Sequence, residues 1–415
     1  MRNRCLRQFI KVAWSFAVVA ILANASWAAN KEKVLYSFTG ASDGGNPATT
    51  LTFDSSSNAY GTTVVGGLGY GTVFQLKHAG GGWTETVLYS FTGDGDGKNP
   101  YGGVTLDAAG NLYGTTVAGG TGGTCSGDGC GTVFKLTKSG STWNQSVLYS
   151  FTGGKDGFGP GGGVVFDKKG NLYGTTPDGG AHSAGTVYEL SPTHGGQWKE
   201  RVIHSFTGGS DGSTGSLGVL LFDKAGNFYG IAELGGDNGA GTVFKMSPGA
   251  GGKWKFSTLY GFKGQPDAGF PYGGLTSDAK GNLYGTTYYG GKNGVGSVFK
   301  LKLDSGGKYS ESVLYSFKPA NDSNFPTSTL TFDTSGDLYG TTSAGGESGC
   351  GCGTVFKLTP GSGRRWKEST VHRFTSNPDG AYAYYGVVRD HVGNLYGATT
   401  AGGAQNQGAL FELTP

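Results

Sequence analysis

The 415-residue chain has little charge, little sulfur and almost no long apolar run. Charged residues make up only 15% of it, with 32 Lys+Arg against 29 Asp+Glu, and four of the basic residues (Arg2, Arg4, Arg7 and Lys11) precede residue 28. The remainder is close to neutral. Nucleic acid and anionic membrane surfaces both require clustered Lys and Arg, so neither is an expected partner. The apolar stretch Val12 to Ala23 is too short for a comfortable membrane span. It follows basic residues and precedes "ASWAAN", in which Ser26 and Ala28 are the small residues before a cut. Residues 1–28 therefore read as a signal peptide and residues 29–415 as one exported domain, secreted, periplasmic or in the cell envelope. No membrane span is expected in the mature chain, and a monomer is expected. The six histidines are scattered: His204 and His372 replace Tyr in a strand, and the others fall in turns or loops. They form no Ser/His/Asp or metal-ligand pattern, and no cofactor is expected.

What is abundant is glycine, 83 residues, beside 13% aromatics. Disordered chains lack such rings to bury, so the composition points to a β protein with many tight turns. "GNLYGTTVAGG" (residues 110–120) recurs with small changes seven times, its Tyr at Tyr60, Tyr113, Tyr173, Tyr229, Tyr284, Tyr339 and Tyr396. Each unit contains four strand-like runs, exemplified by "LTFD", "NLYGTT", "GTVFKL" and "VLYSFTG". The Asp closing the first run always lies six residues before the Tyr, which predicts a hairpin of fixed length with a type I turn and a left-handed Gly. Seven four-stranded units predict an all-β fold, a seven-bladed β-propeller. A lone fourth run begins at Val34 and the last unit stops after its third. The N-terminal strand is thus expected to complete the last blade and close the ring, leaving no open edge.

The phrase "GNLYGTT..GG...GTVFKL" joined to "VLYSFTG" resembles the GloVer tandem repeat, named for Gloeobacter and Verrucomicrobia, from Val34 to Pro415. The resemblance implies an exported bacterial propeller, often with a surface anchor after the repeats. No apolar tail or sorting motif follows Pro415, which speaks against such an anchor here. It implies no catalytic activity and no site residues. The "LTFD..GNLYG" half is also similar to propellers of the NHL and gluconolactonase kinds.

Ligands of propellers usually bind on the face formed by the loops between second and third strands and between fourth and first strands. The two longest second-to-third loops carry Cys125 with Cys130 and Cys350 with Cys352, expected as two local disulfides rather than a metal site. An Asp follows the fourth-run Phe by five residues in every unit: Asp43, Asp96, Asp156, Asp211, Asp267, Asp322 and Asp379. A cation-binding ring is one reading, and capping of each Asp's own turn is the favoured one. Trp83, Trp143, Trp198, Trp254, Tyr309 and Trp366 recur in step and are expected to pack between blades. Glu233, in "GIAELGG", breaks the repeat and is the one candidate acid or base. Non-periodic aromatics set among small polar residues are the candidate ligand contacts: Tyr70, Tyr101, Phe270, Tyr272, Tyr288, Tyr289, Tyr382, Tyr384 and Tyr385, with Phe158 and Phe325 beside them. A non-catalytic propeller binding a glycan or a protein is the first expectation. A lactonase- or lyase-like enzyme at the central channel is the second, and a purely structural envelope protein the third.

Overall fold

The computed structural model describes residues 31–414 except 126, 216–217, 320–322, 347–348 and 363–364; the expected signal peptide lies outside the described residues. Each "YGTT" phrase forms the second strand of an antiparallel sheet, and contacts within the sheet explain its recurrence. The second Thr of one phrase, Thr116, lies with its Oγ1 2.9 Å from Thr132 Oγ1 on the third strand and accepts the Thr132 N–H at 3.1 Å. The same pairing joins Thr63 to Thr72, Thr176 to Thr186 and Thr342 to Thr354. All these hydroxyls are buried, where an unpaired one would be costly, so each Thr answers another. The Gly has a steric reason. A Cβ at Gly114 would sit 2.6 Å from Phe134 Cζ, and the third-strand ring crowds Gly61, Gly285 and Gly340 in the same way.

The Tyr of the phrase ties the strand to its hairpin. Tyr113 donates its hydroxyl to Asp107 at 3.1 Å, and Asp107 also accepts the Ala109 and Asn111 N–H groups, each at 2.9 Å, and the Asn111 amide at 2.7 Å. Gly110 takes φ 81 and donates to the Asp107 carbonyl at 3.0 Å, which is the expected turn; Ser57 at φ 61 fills that place in the first unit.

Seven such sheets form the blades of a propeller. Blade 1 runs outward from Gly45–Pro47 and Thr52–Phe53 through Ala59–Val65 and Thr72–Ala79 to Gly82–Ser90. Blade 7 runs from Val388–Arg389 through Leu395–Thr399 and Ala409–Thr414 to Lys31–Ser37, the strand nearest the amino end. Lys31 pairs with Thr414 and Ser37 with Ala409, so the expected closure is present. The innermost strand differs from its expected form. In blades 1, 4, 5 and 6 it has a second piece upstream of the "LTFD" run, such as Gly45–Pro47 or Ala268–Pro271; in blade 2 it is continuous, Lys98–Leu106, and in blades 3 and 7 a single bridge, Phe158 to Asp178 and Ala381 to Ala401, stands in its place. These pieces are short and carry Gly and Pro, so no β-propensity marks them.

The core consists of seven clusters, one between each pair of neighbouring blades. The Trp series packs there: Trp83 of blade 1 lies 6.0 Å from Tyr396 of blade 7, and Trp254 of blade 4 lies 5.5 Å from Tyr173 of blade 3. Every seam is also bridged by a backbone hydrogen bond at the same place in the repeat. Asn46 N–H donates to the Gln407 carbonyl at 2.7 Å across the closing seam, just as Asn99 donates to Tyr70 at 2.9 Å and Phe270 to Ala240 at 2.7 Å. The closing seam is therefore built like the others. Among the described residues no helix is long and apolar enough to cross a membrane.

Candidate binding face at the mouth of the channel

The seam-bridging donor sits three residues after the recurrent Asp in every unit, and its backbone is left-handed: Asn46, Asn99, Gly159, Thr214, Phe270, Phe325 and Tyr382, with φ between 51 and 68. Gly and Asn adopt this conformation readily, but a bulky aromatic does so at a cost of roughly 1 kcal/mol. Blades 1 to 3 use the tolerant residues, and blades 5 to 7 carry rings in the same place. The rings are thus not scattered relative to the repeat, as the sequence suggests; they are substitutions at equivalent positions. Tyr101, Tyr272 and Tyr384 share another position, five residues after the Asp, and Glu233 and Tyr288 share a third, four residues after the "YG" Tyr.

These positions meet around the axis. Tyr288 stacks on Phe325 with ring centres 4.9 Å apart and planes at 22°, meets Tyr289 edge-on at 4.7 Å, and lies 6.0 Å from Tyr272. Phe270 adjoins Tyr289 at 5.6 Å, and Tyr382 faces Tyr384 at 6.4 Å. Burial, followed by the neighbouring Glu233, Tyr384, Tyr288 and Tyr101, pushes the Tyr272 phenol up to about 12. Tyr385 is raised by burial and then by Tyr272, Tyr101 and Tyr384. Six of the candidate residues therefore share one electrostatic neighbourhood. Tyr70 stands apart, under the Lys98 ammonium at 5.3 Å. Phe158 packs against the core between blades 2 and 3 and is a structural residue.

Exposed large apolar side chains gather on this face. Leu68, Tyr70, Leu234, Tyr289, Tyr382 and Tyr384 all lie on its loops or strand ends, while Val392 alone is on the opposite one, among the described residues. The axis itself is pinched. Inner-strand residues of six blades, among them Gly102, Gly273, Tyr272 and Tyr385, enclose a cavity of only 30 Å³, about the volume of one water. A Cβ at Gly102 would strike the Gly163 nitrogen at 2.6 Å, so backbone meets backbone there. Glu233 is half-buried, and burial raises its carboxyl above the usual range.

The recurrent Asp residues are engaged within their turns. Asp96 accepts the Tyr89 hydroxyl at 2.8 Å, the Thr92 N–H at 2.9 Å and the Thr92 hydroxyl at 2.8 Å. Asp43 and Asp156 repeat this pattern; Asp267 accepts the Tyr260 hydroxyl and the Lys263 N–H. His204 and His372 replace the Tyr at 3.0 Å from Asp211 and 2.9 Å from Asp379. Asp322 lies outside the described residues. Among those described, no group of three or more His, Cys, Asp or Glu is placed to hold a metal ion. Cys125 is bonded to Cys130 and Cys350 to Cys352, with Cα separations of 5.4 and 5.2 Å. The Cys130 and Cys352 carbonyls accept the seam-bridging N–H groups of Gly159 and Tyr382, so each disulfide steadies a seam.

Residues 122–352 and 218–415 match the profile of the Gloeobacter/Verrucomicrobia repeat, more than half of the chain in all. The chain belongs to the Gloeobacter/Verrucomicrobia repeat family. No curated protein matches it. Among solved structures, this Gloeobacter/Verrucomicrobia repeat protein is similar to a candidate oxidoreductase (glucose dehydrogenase) from Thermus thermophilus, at 15% identity and a TM-score of 0.46, over 93% of this chain and 100% of that one. It is also similar to a protein of unknown function from Dyadobacter fermentans, at 14% identity and a TM-score of 0.44, over 83% and 98%. Neither likeness bears on function. In this Gloeobacter/Verrucomicrobia repeat protein the units hold the turn Asp and the "YG" pair constant, keep the buried hydroxyl pair in all but blades 4 and 7, and vary the three positions that reach the channel mouth. The missed signal was that variation: aligned on the Asp, "NP", "NP", "GP", "TG", "FP", "FP" and "YA" form one column.

Proposed function

We propose that this protein is an exported, non-catalytic binding propeller that takes a glycan across the rings of blades 5 to 7. The observation that carries the reading is the left-handed backbone at Phe270, Phe325 and Tyr382. Strain of this kind collects where a side chain must be displayed in a particular direction, and here it buys a wall of rings at the channel mouth. Tyrosine rings edged with hydroxyls, beside Thr and Ser, suit the apolar faces and hydroxyls of sugars. A protein ligand is the second reading, favoured by exposed Leu68 and Leu234 on the same face, which a sugar does not need. Channel catalysis has less support, since the cavity that the described residues form on the axis measures only 30 Å³. Export draws support from the two disulfides, which fit an oxidising compartment, and from the signal-like residues 1–28.

A glycan array and a pull-down with the exported chain test the proposal. Loss of one stacking ring is worth roughly 1 kcal/mol, so Tyr288→Ala with Tyr289→Ala should weaken a captured glycan at least about tenfold. Blank results in both formats would overturn it, as would lactone hydrolysis that disappears in Glu233→Gln.

A further inference from the structure

The face opposite the rings carries a feature that recurs in four blades and is replaced in three. A third-strand lysine covers the ring of the "YG" tyrosine in four blades: Lys135 over Tyr113, Lys245 over Tyr229, Lys300 over Tyr284 and Lys357 over Tyr339, at 5.0 to 5.6 Å. Blade 3 has Glu189 in that place, paired in register with Tyr173, as blade 7 has Glu412 against Tyr396 and blade 1 has Gln75 against Tyr60. The Glu189 carboxylate is bound by Arg201 at 2.5 Å, by Trp254 Nε1 at 3.2 Å and by Ser191 Oγ at 3.0 Å. Arg201 stands opposite Glu189 where blades 2, 4, 5 and 6 have Ser146, Ser257, Ser312 and Ser369, and blade 7 likewise sets a cation, Lys33, opposite Glu412. The seam between blades 3 and 4 contains a cavity of 440 Å³. That is the size of a small-molecule site.

The walls of the cavity are aromatic and its rim is basic. Phe166, Phe222 and Trp254 line it, with the Tyr173 ring 5.4 Å from Phe222 and 5.5 Å from Trp254. Lys168, Lys169, Lys224 and Lys253 rise around it from three hairpin turns, all of them exposed. The three carboxylates of the lining are already engaged: Glu189 as above, Asp167 by the Lys169 N–H and the Tyr173 hydroxyl, and Asp223 by the Asn227 amide and the Tyr229 hydroxyl. None of the four lysines forms an ion pair among the described residues. Lys168 donates to the Lys224 carbonyl at 3.4 Å, which brings the two hairpins together over the opening. An incoming molecule meets unpaired cations above stacked rings.

We propose that this cavity binds a small ring-bearing anion, a carboxylate or a phosphate, with its ring against Phe222 and Trp254 and its charge among the four lysines. The site is independent of the aromatic face. In this seam Glu189 stands in place of a covering cation, and Arg201 neutralises Glu189 so that the anion is not repelled.

Calorimetric titration of the exported chain at neutral pH tests this with three probes, phenyl phosphate, benzoate and benzyl alcohol. Saturable heat is expected with at least one anion, the tighter of the two identifying the head group. Benzyl alcohol, neutral with the same ring, should bind at least tenfold more weakly. Lys168→Ala with Lys224→Ala should weaken the anion about tenfold or more, because two surface cations are lost. Glu189→Lys with Arg201→Ser rebuilds the seam of blades 2, 4, 5 and 6 and should abolish binding while leaving the unfolding temperature unchanged. Tyr288→Ala with Tyr289→Ala should leave the titration as it was. The inference is overturned if neither anion gives saturable heat at millimolar concentration, if benzyl alcohol binds equally well, if both seam variants retain full affinity, or if the Tyr288/Tyr289 variant loses it.

Discussion

Raising the pH from about 5 to about 9 is expected to loosen the blades from one another. Glu85, Glu200 and Glu311 occupy one position on the outermost strands of blades 1, 3 and 5, each with a carboxyl oxygen buried and unpaired. Each also feels the Asp of an adjoining turn: Asp43, Asp156 and Asp267 respectively. Burial first, then that neighbouring carboxylate, pushes Glu85 and Glu200 up to about 7 and Glu311 up to about 8, from an ordinary 4.5. Glu32 in blade 7 moves the same way, raised by burial and by Asp379 against a lowering from His372. The folded value exceeds the unfolded one, so the stabilisation is complete below the ordinary carboxylate value and is lost as the pH climbs through neutrality. Holding a carboxyl this far up corresponds to roughly 3 kcal/mol in a dry site. These side chains are partly exposed, and solvent screening reduces that to roughly 1.5 kcal/mol each. Three of them amount to roughly 4–5 kcal/mol, a large share of the 5–15 kcal/mol typical of a domain.

The acid side is limited by other groups. Asp54, Asp107, Asp223 and Asp278 are raised by burial but lowered further by hydrogen bonds from Asn, backbone and Tyr, and so sit below the usual range. Their contribution is lost as the pH falls below about 4. His204, lowered by burial against the pull of Asp211, subtracts stability as the pH falls below its ordinary 6.5. Maximum stability should therefore lie on the mildly acidic side of neutral. Urea unfolding followed by tryptophan fluorescence at three pH values checks this. Equal midpoints at the two extremes, or an undiminished slope in a Glu85→Gln, Glu200→Gln, Glu311→Gln triple variant, would refute the reasoning.

Tyr382→Asn should raise stability by roughly 0.5–1 kcal/mol, because Asn tolerates the left-handed backbone and the ring is 39% exposed; a thermal melt reads the gain, and the glycan assay should register a loss. Gly114→Ala should lower stability by roughly 1–3 kcal/mol through the clash with Phe134, read by the urea midpoint. Reduction, or Cys125→Ser with Cys130→Ser, should lower it by about 2 kcal/mol and expose residues 121–130 to proteolysis.

Closure of the ring was legible in the sequence because hydrophobic runs with fixed spacing have one arrangement that leaves no strand unpaired. The hairpin turns were legible because Asp, Asn and Gly at fixed offsets encode local hydrogen bonds. The separate first piece of the innermost strand in blades 1, 4, 5 and 6 was not, since "GNP" or "AGFP" carries no alternation. The ring positions were visible as residues but not as a set: Phe270 and Phe325 become equivalent to Asn46 only once the backbone shows that all three bridge a seam. Glu189 and Arg201 beside the cavity between blades 3 and 4 were readable as replacements of Lys and Ser, but Glu412 with Lys33 makes the same exchange in blade 7, so the replacement alone does not mark the cavity. Its meaning required knowing that the lysine elsewhere lies over a tyrosine ring.

The bridge across each seam is made by main-chain atoms alone, an N–H from the left-handed residue to a carbonyl of the preceding blade. Nothing in that bond depends on which side chain the donor carries. Each blade consequently offers an interchangeable socket whose occupant can be exchanged without touching the joinery beneath. Related chains could be refitted for different ligands by point substitutions in that single column, with the scaffold left untouched.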